Sequence, residues 1–151
     1  MWGRLDRLEI LRAVGGDVVV PALVEQEVVK DPRRPGAAAI VQGFTDGLLI
    51  RPPSNIDDPS AVPYPTLGLG ESAAIKLAKR LNCPIVMDEK HGRAVAKINN
   101  ITVIGTLGIL LAAKRSGLVD RIKPFLEQLV KINYFVSPAL YDAVLREAGE
   151  K

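Results

Sequence analysis

Short runs of apolar residues alternate along this chain with longer stretches in which apolar residues recur at helical spacing. The short runs are typical of β-strands and the longer stretches of α-helices. Strands are predicted at 17–20, 48–51, 84–87, 102–104 and 134–136. Helices are predicted at 4–14, 21–30, 37–45, 70–81, 106–116, 123–131 and 138–148, with another directly after Asp88. A proline-rich stretch at 52–66 is predicted to be a loop.

The predicted strands carry no polar face, which is typical of a parallel sheet that helices cover on both sides. Strands that alternate with helices predict an α/β protein, here a three-layer α/β/α sandwich with a short-stranded parallel sheet. With 151 residues, the chain is expected to form a single domain that spans 1–151.

Composition narrows the class of protein further. The net charge of +3 is too mild to indicate a polyanionic partner by itself. One cysteine, Cys83, excludes an intramolecular disulfide and suits a reducing cytoplasm. Because Cys83 lies between a helix and an apolar strand, we expect it to fill space in the core. No apolar run reaches the ~18 residues of a membrane span, so a cytoplasmic protein without a membrane segment is expected.

Two carboxylates stand where ligands bind in α/β proteins. Asp88 ends a strand and therefore lies at the carboxyl edge of the predicted sheet, where ligands of parallel sheets bind. Glu71 begins a helix on the side of that helix's apolar stripe, so it should face inward near the same edge. A third acid should come from the helix at 21–30. There Glu25 lies nearer the centre of the apolar stripe and Glu27 at its border, and the pattern does not choose between them.

Carboxylates that converge in a chain with one histidine and one cysteine favour a hard cation, Mg²⁺ or Mn²⁺. Such an ion activates water and stabilises the charge of a phosphodiester under attack. Six basic residues occur between 76 and 97, and they could hold a nucleic-acid backbone or simply form solvated helix faces. These residues are Lys76, Lys79, Arg80, Lys90, Arg93 and Lys97.

Each of these residues also has a structural interpretation. Glu71 could complement a helix dipole, Asp88 could be the N-cap of the next helix, and both Glu25 and Glu27 could lie on the surface. The turn at 105–108, Gly-Thr-Leu-Gly, could bind a phosphate, but it lacks the full glycine-rich fingerprint. Close packing of a helix on a strand explains its glycines better.

Three segments resemble the PIN-domain family, in a branch of prokaryotic proteins often described as nucleic-acid-binding. They are GLGESAAIKLAKRLNCPIVMDEKHGRAVA at 68–96, VIGTLGILLAAKRSGLV at 103–119 and LREAGE at 145–150. The resemblance implies a metal-dependent endoribonuclease whose acids bind Mg²⁺ or Mn²⁺. By position, it implies that Glu27, Glu71 and Asp88 are the metal-binding and catalytic acids. The resemblance favours Glu27 over Glu25 for the third position.

The same resemblance implies partners. RNA would be the substrate, with Lys90, Arg93 and Lys97 as candidate contacts to its backbone. Many relatives are toxins of toxin–antitoxin pairs, so a small antitoxin protein and a homodimer are also expected.

The beginning of the chain departs from the family. Relatives open with a central strand that ends in the first acid, whereas here the first residues already read as the first helix. Neither Asp6 nor Glu9 matches the place of that acid. The first central strand and its acid are therefore absent from this sequence, and three explanations are open. The true start could lie upstream of Met1, another chain could supply the strand, or the protein could have lost catalysis and now only bind nucleic acid or a partner protein.

Overall fold

The computed structural model describes residues 2–58 and 60–151. The elements in chain order are α1 (Trp2–Leu5), α2 (Leu8–Gly15), α3 (Ala22–Val29), α4 (Ala37–Thr45), α5 (Leu69–Leu81), β1 (Ile85–Val86), α6 (Lys90–Ile98), β2 (Val103–Ile104), α7 (Thr106–Arg115), α8 (Lys123–Lys131) and α9 (Pro138–Glu147). The predicted helices are confirmed, mostly to within a residue or two. The chain is an α/β protein in which far more residues lie in helices than in strands.

The strands pair in parallel, as the apolar pattern predicts. Strands β1 and β2 lie in register with Ile85 opposite Val103, and the Met87 amide donates to the Ile104 carbonyl at 3.0 Å. A separate parallel bridge joins Val19 and Ile50, so the predicted strands 17–20 and 48–51 shrink to one bridged pair. The segment 134–136 forms no strand, and that prediction is wrong.

The short strands are less enclosed than predicted. Ile85 is buried, but Val86 is 42% and Ile50 37% exposed, so the prediction of burial on both faces is wrong at these two positions. The Val86 backbone lies between residues 85 and 87, whose amides both point to β2. Because peptide groups alternate in direction along a strand, the Val86 amide points to the opposite side from β2.

Two hydrophobic clusters form the core. The larger one joins α1 and α2 to α7, α8 and α9 through side chains such as Leu110, Leu126 and Leu129, which are fully buried. The smaller one joins α5, β1 and α6 around Ile75 and Ala96. The smaller cluster fixes the elements that position Glu71 and Asp88, whereas Glu27 lies on α3 outside this cluster. None of the helices within residues 2–58 and 60–151 has both the length and the apolar character of a membrane span.

Two local predictions are corrected. The helix predicted at 4–14 is interrupted at Asp6, whose φ of 53° ends α1 before α2 begins. Cys83 is exposed, so the prediction that it fills the core is wrong. The helix α5 ends at Leu81, and its C-cap residue Asn82 takes the left-handed conformation. The Cys83 amide then donates a hydrogen bond to the Ala78 carbonyl.

Two of the six basic residues between 76 and 97 hold the proline-rich loop in place. The Lys76 ammonium bonds to the Val62 carbonyl and lies 5.5 Å from the centre of the Tyr64 ring. The Arg80 guanidinium donates to the Ile56 carbonyl at 2.6 Å. These two cations therefore stabilise the loop that leads into α5. The other four basic residues between 76 and 97 are Lys79 on α5 and Lys90, Arg93 and Lys97 on α6.

Candidate active site

Glu71 lies in the first turn of α5, at its contact with α6. The helix starts after Gly68, and Glu71 is half-buried. Its Oε2 atom lies 3.1 Å from the point where a Cβ atom would stand on Gly92 in α6. The missing side chain of Gly92 thus gives the Glu71 carboxylate its place between the two helices.

Glu27 reaches the same helix end from α3. Its Oε1 atom accepts a hydrogen bond of 3.1 Å from the Gly70 amide, one of the free N–H groups of the first turn. Both carboxylate oxygens lie within 2.8 Å of the point where a Cβ atom would stand on Gly70. Glu25 points elsewhere and pairs with Arg51 at 2.7 Å. Of the two acids that the sequence left open, Glu27 is the one beside Glu71.

Glu89 is a third acid at this place, and it was not among the acids predicted from the sequence. It is the N-cap of α6 and accepts hydrogen bonds from the Gly92 amide at 2.6 Å and the His91 amide at 3.0 Å. These bonds, the Gly92 bond first, lower the pKa of Glu89. The alternative that Asp88 caps this helix is therefore wrong. An acid directly before a predicted helix is a visible capping signal, and it points to Glu89 as well as to Asp88.

The acids near Glu71 change its protonation. Burial raises the pKa of the Glu71 carboxyl, and the neighbouring negative charges of Glu89 and Glu27 raise it further, against a smaller opposing effect of His91. Like charges at close range disfavour the ionised form of each partner. The Glu27 and Glu89 carboxylates thus lie near enough to Glu71 to repel its negative charge, and His91 offsets only part of that repulsion.

Asp88 follows β1 and is held by three donors. Its Oδ1 atom accepts from the Thr106 amide at 2.8 Å and from the Tyr134 hydroxyl at 3.0 Å, and its Oδ2 atom accepts from the Thr106 hydroxyl at 2.6 Å. Since each carboxylate oxygen has about two acceptor positions, Oδ2 keeps room for one more partner. The bond from the Tyr134 hydroxyl to Asp88 is the second contact that was not predicted, because no local sequence pattern indicates it.

The three basic residues of α6 differ in their surroundings. Arg93 turns inward, where its Nη1 atom donates to the Met87 carbonyl at 3.0 Å. The same atom lies 2.7 Å from the point where a Cβ atom would stand on Gly105, and Asp88 Oδ1 lies 3.3 Å from that point. Arg93 therefore places positive charge beside Asp88. Lys90 and Lys97 are exposed on the surface of the helix.

Gly105 serves packing. It precedes α7 in an extended conformation, and the Arg93 guanidinium occupies the space beside it. Gly108 faces only Ile104 at an ordinary distance of 3.9 Å. The geometry agrees with the packing interpretation of the Gly-Thr-Leu-Gly turn.

The donor set of this site suits a divalent cation such as Mg²⁺ or Mn²⁺. Within residues 2–58 and 60–151, neither Glu27, Glu71, Asp88 nor Glu89 forms a salt bridge with a basic side chain. In the same residues, no three Asp, Glu, His or Cys side chains stand close enough to bind one ion together. Mg²⁺ usually keeps several waters and is held by one or two carboxylates, so it would not need three of these side chains as direct ligands.

Comparison with known proteins agrees with the resemblance that the sequence motifs indicate. A family model described as a PIN domain matches residues 3–150, nearly the whole chain. No curated protein and no solved structure matches this sequence. Because the family model covers far more than half of the chain, the expected family is confirmed, and with it the α/β fold. The chain belongs to the PIN-domain family.

Proposed function

We propose that this protein is a metal-dependent endoribonuclease. PIN domains have a nuclease-type fold and generally use divalent metal ions. The observation that carries the proposal is the position of Glu27, bonded to the Gly70 amide, and of Glu89, the cap of α6, beside Glu71 at the start of α5. Burial first, and then these neighbouring negative charges, raise the pKa of Glu71. Clustered carboxylates with a raised pKa are common at functional sites.

The ion, Mg²⁺ or Mn²⁺, would be held by Glu27, Glu71 and Asp88, directly or through water. Glu89, at the cap of α6, would add a further negative charge beside Glu71. When bound, the ion supplies an activated water and stabilises charge on the phosphodiester. The Thr106 and Tyr134 hydrogen bonds fix the orientation of the Asp88 carboxylate before substrate arrives. Fixed carboxylates reduce the reorganisation that the reaction would otherwise require.

RNA is the proposed substrate, since PIN domains generally bind nucleic acid. The exposed ammonium groups of Lys90 and Lys97 supply sequence-independent contacts to phosphates. Arg93, turned inward beside Asp88, would reach a phosphate only at the site itself. Substitution of Lys97 should therefore weaken binding and its salt dependence, while cleavage of bound RNA remains.

The test is cleavage of a labelled single-stranded RNA with Mn²⁺ or Mg²⁺ by the natural chain and by three variants. We expect Glu71→Gln and Asp88→Asn to lose on the order of 100-fold in rate or more, because each removes a carboxylate from the site. Glu25→Gln is the matched control, since Glu25 lies on the same helix as Glu27 but pairs with Arg51 instead of with the Gly70 amide. Cleavage that survives in Glu71→Gln and Asp88→Asn would contradict the proposal.

The finer assignment within this proposal is the toxin of a toxin–antitoxin pair, acting in the cytoplasm as a homodimer with a small antitoxin protein as partner. Growth arrest on expression, relieved by Asp88→Asn, would support the toxin assignment. Normal growth with abundant folded protein would oppose it. Sedimentation of the purified chain tests the homodimer.

A second candidate is a binding module that does not cleave. It is favoured by the three hydrogen bonds that engage Asp88 and by the absence, among the described residues, of three side chains grouped to bind one ion. This candidate predicts RNA binding without turnover and no thermal stabilisation by Mn²⁺. A rise in melting temperature with Mn²⁺ that Glu71→Gln abolishes would exclude it.

A further inference from the structure

The connection between α8 and α9 presents an aromatic ring to solvent. Along 132–136 the residues alternate between half-buried and exposed, with Tyr134 inward and Phe135 outward. Phe135 is 86% exposed, which is the largest exposure among the large hydrophobic residues that the structure describes. A single exposed apolar residue is common in proteins and means little by itself. Phe135, however, directly follows the tyrosine that bonds to Asp88.

The backbone that carries Phe135 is fixed at the candidate active site. Its neighbour Tyr134 donates the 3.0 Å bond to Asp88, and the Tyr134 amide donates to the Leu129 carbonyl at 2.9 Å. On the other side, the Ser137 hydroxyl caps α9 by accepting from the Leu140 amide at 3.2 Å. Consecutive Cα atoms are 3.8 Å apart, so Phe135 emerges one residue from the side chain that touches Asp88.

We propose that Phe135 is a stacking platform for a nucleobase of single-stranded RNA whose backbone lies at the carboxylates. The inference rests on the proposed function and names its substrate class. A ring held on a fixed backbone loses little conformational freedom when a base stacks on it, and every base offers a π-face. Duplex RNA keeps its bases stacked on each other, so the ring selects single strands.

Binding of a labelled single-stranded RNA, followed by anisotropy at constant salt with EDTA present, tests the platform. Phe135→Ala should bind about tenfold more weakly, since a stacked base contributes about 1–3 kcal/mol. Phe135→Trp should retain binding. Phe135→Leu keeps apolar surface without a π-face and should bind as weakly as the alanine variant. Ile98→Ala is the matched control, because Ile98 is 79% exposed on α6.

Phe135→Trp also gives a direct signal of stacking. The natural chain has one tryptophan, Trp2, which is buried at 6% exposure, so the added indole dominates any change caused by ligand. Single-stranded RNA should quench its fluorescence to saturation, and a duplex of the same length should not. Equal quenching by both, or binding by Phe135→Leu that matches the natural chain, would overturn the proposal.

The outcomes separate this inference from the proposed function. Saturable quenching by single-stranded RNA in a chain that cuts nothing supports the platform while the nuclease proposal fails. Cleavage that depends on Asp88 but is unchanged in Phe135→Ala, with unchanged binding, supports the nuclease and overturns the platform. Dimerisation that Phe135→Ala abolishes, without an effect on RNA binding, would show that the ring binds protein and would also overturn it.

Discussion

The hydroxyl of Tyr134 donates a hydrogen bond of 3.0 Å to Oδ1 of Asp88, across 46 residues of sequence. The bond ties the α8–α9 connection to the carboxyl end of β1. Together with the Thr106 amide and hydroxyl, it holds the Asp88 carboxylate with three donors. This arrangement fixes the carboxylate in one orientation, and it uses three of about four acceptor positions. The remaining position, on Oδ2, is the one open to an ion or its water.

Tyr134→Phe should reduce stability and activity together. The variant keeps the packed ring but leaves Asp88 Oδ1 with one donor fewer, and hydrogen bonds to charged groups contribute about 1.5–3 kcal/mol. Because Asp88 is half-buried and water can replace part of the bond, we expect a loss of about 1–2 kcal/mol in the free energy of unfolding by urea.

Tyr141→Phe provides the control for that measurement. Tyr141 is also half-buried, and its hydroxyl forms no hydrogen bond with the described residues. It should unfold within about 0.5 kcal/mol of the natural chain. If Tyr134→Phe behaved in the same way as Tyr141→Phe, the bond to Asp88 would not be a stabilising contact.

The same bond should appear in an alkaline titration. Burial and the charge of Asp88 raise the pKa of Tyr134 from 10 to about 12. A raised pKa means that this group's contribution to stability is complete below about pH 10 and is lost as the pH rises through about 12. Absorbance near 295 nm should show a tyrosine that ionises near pH 12, and Tyr134→Phe should lack that phase. A titration that is identical in both proteins would contradict the assignment.

The sequence predicts the framework of the site but only part of its contacts. Asp88 at a strand end and Glu71 at a helix start follow from local pattern and from the geometry of parallel sheets. Glu89 was missed because two adjacent acids precede α6, and pattern alone does not say which one turns back to cap it. Tyr134 was missed for a different reason. Its segment reads as a strand, and the contact with Asp88 depends on how α8 and α9 pack.

Tertiary contacts also separate Glu25 from Glu27. Helical periodicity measures which side of α3 is apolar, but it does not register that Arg51 draws Glu25 away. The bidentate bonds between Arg51 and Glu25, at 2.7–3.0 Å, come from a residue 26 positions along the chain. Glu27 is left to accept from the Gly70 amide.

Glu71→Gln should stabilise the metal-free protein at neutral pH. Burial first, and then the charges of Glu89 and Glu27, raise the pKa of Glu71 above its ordinary 4.5. The stability linked to protonated Glu71 is complete below about pH 4.5 and is lost as the pH rises through the raised pKa, so the ionised form is costly at pH 7. The gain should be below about 1 kcal/mol because water screens a half-buried group.

Thermal unfolding between pH 4 and pH 8 checks this expectation. The advantage of Glu71→Gln should fade toward pH 4, where the natural carboxyl carries its proton. With Mn²⁺ at pH 7 the order should reverse, since the natural chain gains more from the ion. If Glu71→Gln and the natural chain melted at the same temperature at pH 4, at pH 7 and at pH 7 with Mn²⁺, the neighbouring acids would not repel Glu71.

Gly70→Ala should separate activity from stability. A Cβ atom there would stand 2.7 Å from Glu27 Oε2, and the carboxylate is the far end of a flexible side chain that can move away. Alanine favours the helix by about 1 kcal/mol over glycine, which offsets the lost Gly70–Glu27 contact. We therefore expect a stability change of less than about 1 kcal/mol together with reduced metal-dependent cleavage. Gly108→Ala in α7, where the added atom meets only Ile104 at 3.9 Å, should retain full cleavage.

The Glu150 carboxylate should stabilise the start of α8, because it accepts hydrogen bonds from backbone amides there. Its carboxylate, 4% exposed, accepts from the Ile122 amide at 2.9 Å and lies 3.4 Å from the Lys114 ammonium. Burial raises its pKa, but the bonds from the Ile122 and Lys123 amides and from Lys114 outweigh burial and leave the pKa lowered. Glu150→Gln should therefore cost about 1–3 kcal/mol at pH 7 in urea unfolding.

The pH dependence of the stability difference shows whether Glu150 stabilises the protein through its charge or through the packing of its side chain. A lowered pKa gives stability that is present above the ordinary value of 4.5 and is lost as the pH falls through the folded-state pKa. The difference between Glu150→Gln and the natural chain should therefore shrink steadily below pH 4.5. Glu147→Gln, which breaks only an exposed pair with Arg115, should differ by less than about 0.5 kcal/mol at any pH. A deficit of Glu150→Gln that stays constant with pH would assign the effect to side-chain shape, because the charge would then contribute nothing.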